Sequence, residues 1–273
     1  MRTAKQHIGV FDSGLGGLTV LAALRRAMPR QDFIYLGDNA NAPYGIRTPE
    51  EVTALTQAAI ERLFAEGCEL VLIACNTASA LALRTLQQDW LPKAAPSHRI
   101  LGVFVPLIEA LTGRGWRDEP GRAAINCAAF FATPATVASG AFTREAKRLA
   151  PNLTIIEQGC PGLVDAIEAG EPFDSVVGKA VANALKQGMP EAVLLGCTHY
   201  PHAESAFRAA LPAAIPILSQ PQIVAQSLAS YLERHPQFQG GTGSLGCLTT
   251  GDPGHVSARA GALFARALPF DAA

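Results

Sequence analysis

Apolar positions along this chain come in short unbroken runs separated by longer stretches with helical spacing. HIGVF is followed by LTVLAALRRAM, FIYLG by PEEVTALTQAAIERLFAEG, LVLIA by TASALALRTLQQ, and RILGVF by PLIEALTG. A continuous apolar run bounded by turn residues suits a strand buried on both faces, and the 3.6-residue period between runs suits covering helices. The resulting βαβα rhythm predicts an α/β fold, with mostly parallel sheets clothed by helices. The segment 112–122, TGRGWRDEPGR, is rich in Gly, Pro and charge and reads as a solvated connection.

Beyond that connection the rhythm restarts. AAINCAAFF leads into PATVASGAFTREAKRLA, LTIIEQG into GLVDAIEAG, AVLLG into HAESAFRAAL, and IPILS into PQIVAQSLASYL. Equivalent points recur at a near-constant distance: Thr133 lies 120 positions after Ser13, Gly159 122 after Gly37, and Cys197 122 after Cys75. A fixed offset at strand ends predicts an internal duplication. In open α/β sheets ligands collect beyond the carboxyl ends of the strands. Two such halves facing each other would therefore line a shared cleft, with Cys75 on one wall and Cys197 on the other. The tail 236–268 begins as a Gly-rich loop and ends as an amphipathic helix, a pattern expected to serve packing and not chemistry.

Composition narrows the setting. Of 273 residues, 49% are apolar and 16% charged, enough apolar material for a large buried core. The formal net charge is −1 and no basic run occurs, so neither a nucleic-acid nor a membrane-surface partner is expected. The N-terminus enters a strand with no apolar leader, which predicts a cytoplasmic protein. Six dispersed cysteines without a CxxC pair argue against a disulfide framework and against a thiolate metal site.

The chemistry concentrates at the strand-to-helix junctions. ACNTASA and GCTHYPH each place a cysteine where free backbone N–H groups and the helix dipole are expected to lower a thiol pKa from about 8.5. Cys68, Cys127 and Cys247 read as small buried hydrophobes, and Cys160 precedes a helix that Pro161 is expected to open. FDSGLGG leaves a strand at Asp12 and Ser13 and turns through glycines that let backbone approach an anion. The loop GDNANAPYG is placed to close over a ligand, and ATPATVAS offers Thr133 and Thr136 as hydroxyls. His199, two residues past Cys197, is expected to exchange protons with that thiol. No metal-ligand spacing occurs, and with only five lysines pyridoxal chemistry has no support. Two opposed thiols suit a stereoinversion in which one removes the proton of a carbon acid and the other returns a proton to the opposite face, with no cofactor.

Taken together, IGVFDSGLGGLTVL, YLGDNANAPYGIR, ACNTASA, ATPATVASGAF, LLGCTHYPH and the tail's TTGDP resemble the glutamate racemases. These cofactor-independent enzymes interconvert L- and D-glutamate for peptidoglycan synthesis. The resemblance implies that Cys75 and Cys197 are the acid/base thiols, that Asp12 assists the first and His199 the second, and that Glu168 is a further catalytic carboxylate. Substrate contacts are implied for Asp12, Ser13, Tyr44, Gly45, Asn76, Thr77, Thr133, Thr136, Thr198 and His199. Two pseudo-symmetric domains are implied near 1–97 with 213–273 and 98–212, with the active site between them. A glutamate substrate follows, and a homodimer is among the assemblies allowed. Asp38-Asn39, Asn126 and Ser219-Gln220 depart from the family's usual residues. The alternatives are an aspartate-type racemase and, more remotely, a hydrolase using Cys197 with His199, which would leave Cys75 without a task. A non-catalytic binding protein on the same cleft is a third alternative.

Overall fold

A computed structural model of the chain describes residues 7–264 and 267–273. Its strands are β1 (His7–Asp12), β2 (Asp32–Gly37), β3 (Leu70–Ile73), β4 (Arg99–Gly102), β5 (Cys127–Ala132), β6 (Thr154–Gly159), β7 (Ala192–Gly196), β8 (Ile217–Ser219), β9 (Leu245–Thr249) and β10 (Asp271–Ala272). They form two sheets, ordered β10-β9-β2-β1-β3-β4 and β6-β5-β7-β8, and every pairing is parallel. The helices form where the spacing predicts them. Pro49–Ala65, for instance, starts at Thr48, whose hydroxyl accepts from the Glu51 N–H while the Glu51 carboxylate accepts from the Thr48 N–H. The same helix buries Val52, Ala59, Ile60 and Leu63 on one face.

The duplication is written into the hydrogen-bond register. Phe11 on β1 is flanked by Leu36 and Ile73. Phe131 on β5 is flanked by Gln158 and Leu195, which are the same three positions shifted by 120, 122 and 122. The first sheet therefore contains the second's order (2-1-3-4 against 6-5-7-8) and adds β9 and β10 at its outer edge.

Strand side chains alternate between two environments, as a sheet covered on both faces requires. Val10, Phe33, Tyr35 and Leu72 of the first sheet join Ala128, Phe130 and Leu194 of the second in one continuous core. That core is filled by the helices Leu18–Ala27, Phe104–Thr112, Ala141–Leu149 and Gln220–Arg234. Phe130 stacks on Phe142 with ring centroids 4.0 Å apart, and Phe104 meets both rings edge-on. The opposite strand positions face separate layers: Phe11, Ile34, Leu36 and Val71 in one, Ala129, Phe131 and Val193 in the other.

The strand β4 at 99–102 belongs to the first sheet and β8 at 217–219 to the second. Two expectations need correction. Pro161 does not open a helix; Pro161 and Gly162 form a turn before the helix Leu163–Ala169, so Cys160 precedes a turn. The Gly-rich tail is not only loop and helix, since Leu245–Thr249 adds a strand beside β2. No helix among the described residues is long and apolar enough to cross a membrane.

Candidate active site

In each sheet the strand order reverses beside the central strand, between β1 and β3 and between β5 and β7. Loops leaving adjacent strands in opposite directions open a crevice at such a switch point. Asp12, Ser13 and Cys75 leave the first sheet there, and Thr133 and Cys197 leave the second.

Cys75 caps the helix Asn76–Leu81, and its Sγ accepts from the Ala78 N–H at 3.4 Å and donates to the Ser13 Oγ at 3.4 Å. The helix end does not make this thiol acidic, contrary to the local expectation. Cys75 is only 5% exposed. Burial, reinforced by the Asp12 carboxylate, pushes its pKa up to about 12 against the pull of Ser13 and the helix N–H. A helix of one and a half turns offers too little to offset the loss of water around a thiolate. Asp12 is itself raised by burial, opposed by His199 and the Gly14 N–H, which donates to Oδ1 at 2.9 Å.

The second wall is built differently. Cys197 follows β7 but does not cap a helix; a turn through Thr198 and His199 leads to the short 3-10 segment Tyr200–Ala203. Its partner is the His199 Nδ1 at 4.0 Å. The other ring nitrogen, Nε2, lies 2.8 Å from the Glu168 Oε1, and the Glu168 Oε2 accepts from Arg259 at 2.9 Å. Burial disfavours an imidazolium, yet the hydrogen bonds and charges of Cys197 and Glu168 outweigh it and push the His199 pKa up to about 10. Glu168 is lowered, first by its hydrogen bond to His199.

The walls meet at several points. The Thr198 hydroxyl donates to the Asp12 Oδ2 at 3.2 Å, and the Thr19 hydroxyl lies 2.9 Å from the Thr198 carbonyl. Thr77, Thr133 and Thr136 form a triangle of hydroxyls with oxygen separations of 3.1, 3.2 and 2.9 Å. Gly16 packs so tightly that a Cβ there would stand 2.4 Å from the Thr198 Oγ1 and 2.5 Å from the His199 ring. Gly45 lies opposite Thr133, where its Cβ would sit 4.0 Å from the threonine's.

Two expected substrate contacts have side chains engaged elsewhere. Tyr44 is buried with its hydroxyl donating to Asp38 at 2.6 Å, in a knot that also ties Asn41 and Thr250 to Asp38. The Asn76 carboxamide is locked face to face with that of Gln220, with both hydrogen bonds at 2.9 Å. The N–H groups of Asn76 and Thr77, in the first turn of their helix, have no intrahelical acceptor. Sequence reasoning missed two members of this arrangement. Gln220 stands out in the sequence only as part of a departure from the family's usual residues, and Arg259 sits in the tail expected to serve packing. Neither carries a local signal, since their partners lie 144 and 91 positions away. Among the described residues no group of three or more His, Cys, Asp or Glu side chains converges to hold a metal ion.

A duplicated α/β scaffold that carries a buried free thiol just past the switch-point strand of each sheet is a framework suited to an acid–base isomerase. The chain belongs to the Asp/Glu/Hydantoin racemase family, whose model matches residues 8–228. It is 51% identical over 274 residues to the glutamate racemase of Cereibacter sphaeroides, covering 97% of this chain and 99% of that protein. The crystal structure of glutamate racemase from Thermus thermophilus in complex with β-chloro-D-alanine is 34% identical with a TM-score of 0.81, covering 99% of this chain and 97% of that one. That of isoform RacE1 from Bacillus anthracis is 27% identical with a TM-score of 0.84, covering 97% and 96%.

Proposed function

We propose that this chain interconverts L- and D-glutamate, with Cys75 and Cys197 as the two proton carriers and no added cofactor. The observation that carries the reading is the matched placement of two thiols at equivalent switch points of duplicated sheets, each held by a different set of proton-handling partners. The near-full-length identity to glutamate racemases supports glutamate as the substrate.

In one direction a thiolate takes the α-proton while the opposite thiol delivers a proton to the other face of the carbon; in the reverse direction the roles exchange. Burial pushes the Cys75 pKa up to about 12, which suits this thiol to deliver a proton. His199 holds a proton beside Cys197, and Glu168 fixes the orientation of its ring. The free N–H groups opening the helix Asn76–Leu81 and the hydroxyls of Ser13, Thr77, Thr133 and Thr136 are positioned to bind carboxylates and to receive the charge that develops as the α-proton leaves. D-Glutamate made this way would serve peptidoglycan synthesis.

The test is incubation of the purified protein with L-glutamate in D2O, following optical rotation and α-deuterium without pyridoxal phosphate. Inversion with one deuterium entering the product is expected. Cys75→Ser and Cys197→Ser should each lower inversion by about 10²–10⁴-fold, the usual weight of a general acid or base. Full inversion by either variant would exclude the two-thiol mechanism.

A further inference from the structure

We propose that Arg259, on the C-terminal helix Pro253–Phe264, is a positioning residue for the Cys197 half of the reaction, holding the Glu168 carboxylate in register with His199. The inference rests on the glutamate racemisation reading and extends it to a part of the chain outside the cleft walls.

The carboxylate is divided, with Oε1 turned to His199 and Oε2 to Arg259. Glu168 sits in the last turn of a seven-residue helix that ends at Gly170, and its side chain is 26% exposed. Water therefore competes for it, and a freely rotating glutamate has rotamers to lose before it can hold an imidazole. Among the described residues no donor other than His199 and Arg259 reaches it. Fixing the second oxygen from outside removes the rotations that would carry the first away from His199.

Arg259 can do this because its own backbone is anchored on the opposite body of the protein. The helix follows β9 of the first sheet, and Val256 and Ala260 are buried in the shared core. Leu263 packs against that core and also against the core layer behind Cys197. Phe264 meets the His202 ring edge-on, with centroids 5.2 Å apart, so the helix touches the segment carrying His199 at a second point. Cys197, His199 and Glu168 lie on segments that follow β7 and β6 of the second sheet, whereas Arg259 reaches Glu168 from the helix that follows β9 of the first.

A purely structural role is separable. Arg84 and Glu145 form another arginine–carboxylate bridge between the same two bodies, with nearly the same arginine exposure, 43% against 45%, but without contact to His199. Exposed pairs of this kind add little stability by themselves. Arg259→Gln, Arg259→Lys and Arg84→Gln are compared with the unaltered protein in glutamate racemisation and in chloride elimination from the two α-enantiomers of 3-chloroglutamate. Elimination needs one deprotonation only: a thiolate takes the Cα proton, the electron pair forms the carbon–carbon double bond, and chloride leaves.

Arg259→Gln is expected to lower kcat about ten-fold in both directions with KM within about two-fold, as a displaced acid/base partner would. It should slow elimination about ten-fold from one enantiomer and leave the other within about two-fold, and Arg259→Lys should recover most of the loss. Arg84→Gln should change neither enantiomer selectively. An unchanged Arg259→Gln enzyme, an equal loss from both enantiomers, or the same asymmetry in Arg84→Gln overturns the proposal. Failure of the unaltered protein to racemise glutamate instead overturns the reading beneath it.

Discussion

Gly16 is where one added methyl group tests the apposition of the two walls. Its φ lies outside the left-handed region, so the backbone itself accepts alanine, and the nearest atoms a Cβ would meet lie on the Thr198–His199 turn. A Cβ would stand 2.4 Å from the Thr198 Oγ1 and 2.5 Å from both Cε1 and Nδ1 of His199. Neither neighbour yields easily, since both are buried, Thr198 bonded to Asp12 and His199 to Glu168. Restoring ordinary contact requires a shift of about 1 Å, and overpacking of this kind costs about 1–3 kcal/mol. For a chain of this size that corresponds to a fall of roughly 2–10 °C in Tm. The displaced atoms include the Nδ1 that faces Cys197, and a misplacement of about 1 Å at a reacting group costs on the order of 10²-fold in rate. The assay pairs calorimetry with racemisation kinetics for Gly16→Ala, with Gly178→Ala as the contrast. Gly178 lies in the helix Asp174–Gln187 with no atom within 4 Å of its would-be Cβ, so alanine there should add about 0.5–1 kcal/mol by helix propensity alone. A Gly16→Ala protein with unaltered Tm and kcat would refute the close meeting of Gly16 with the His199 turn.

Two further outcomes follow from the same geometry. His199 is raised from 6.5 to about 10 in the folded protein, so the native state holds a proton that the unfolded chain releases. Its stabilising contribution is complete below about pH 6.5 and disappears as pH rises through about 10. Urea unfolding between pH 6 and 10 should show stability falling more steeply in the unaltered protein than in His199→Gln, and parallel slopes would contradict this. Cys75, raised from 9.0 to about 12, acts in the same direction above pH 9 and is common to both proteins. Asn76→Ala would leave the fully buried Gln220 amide unpaired at a cost of about 1–3 kcal/mol, while removing both partners with Asn76→Ala and Gln220→Leu should cost less than the two single changes added together. Strict additivity in denaturant unfolding would mean that the pair carries no coupling.

The strand-end residues were legible because they obey local rules. Apolar runs with a fixed offset predict the strands and their duplication, and the register of Phe11 and Phe131 repeats that offset. The equivalence of the two cysteines was legible only as position. Cys75 caps a helix and leans on Ser13, whereas Cys197 enters a turn and leans on His199. β9 escaped notice because LGCLT is short, follows a Gly-rich stretch, and becomes a strand by pairing with β2, some two hundred residues earlier. The helix-terminus argument for an acidic Cys75 failed for a related reason, since it counted the local N–H donors and could not count the water excluded by the rest of the chain.

By itself the sequence determined the βαβα order, the repeat, the two cysteines at strand ends and the polar residues that follow them. These depend on interactions within a few residues, which apolar spacing and turn chemistry record directly. Only the tertiary structure decided where the chain exchanges between sheets, that Asn76 is spent on Gln220, that Arg259 reaches Glu168, and which way burial drives Cys75 and His199. Those outcomes depend on which distant groups exclude water and meet across the cleft, and desolvation and long-range contact leave no periodicity along the chain.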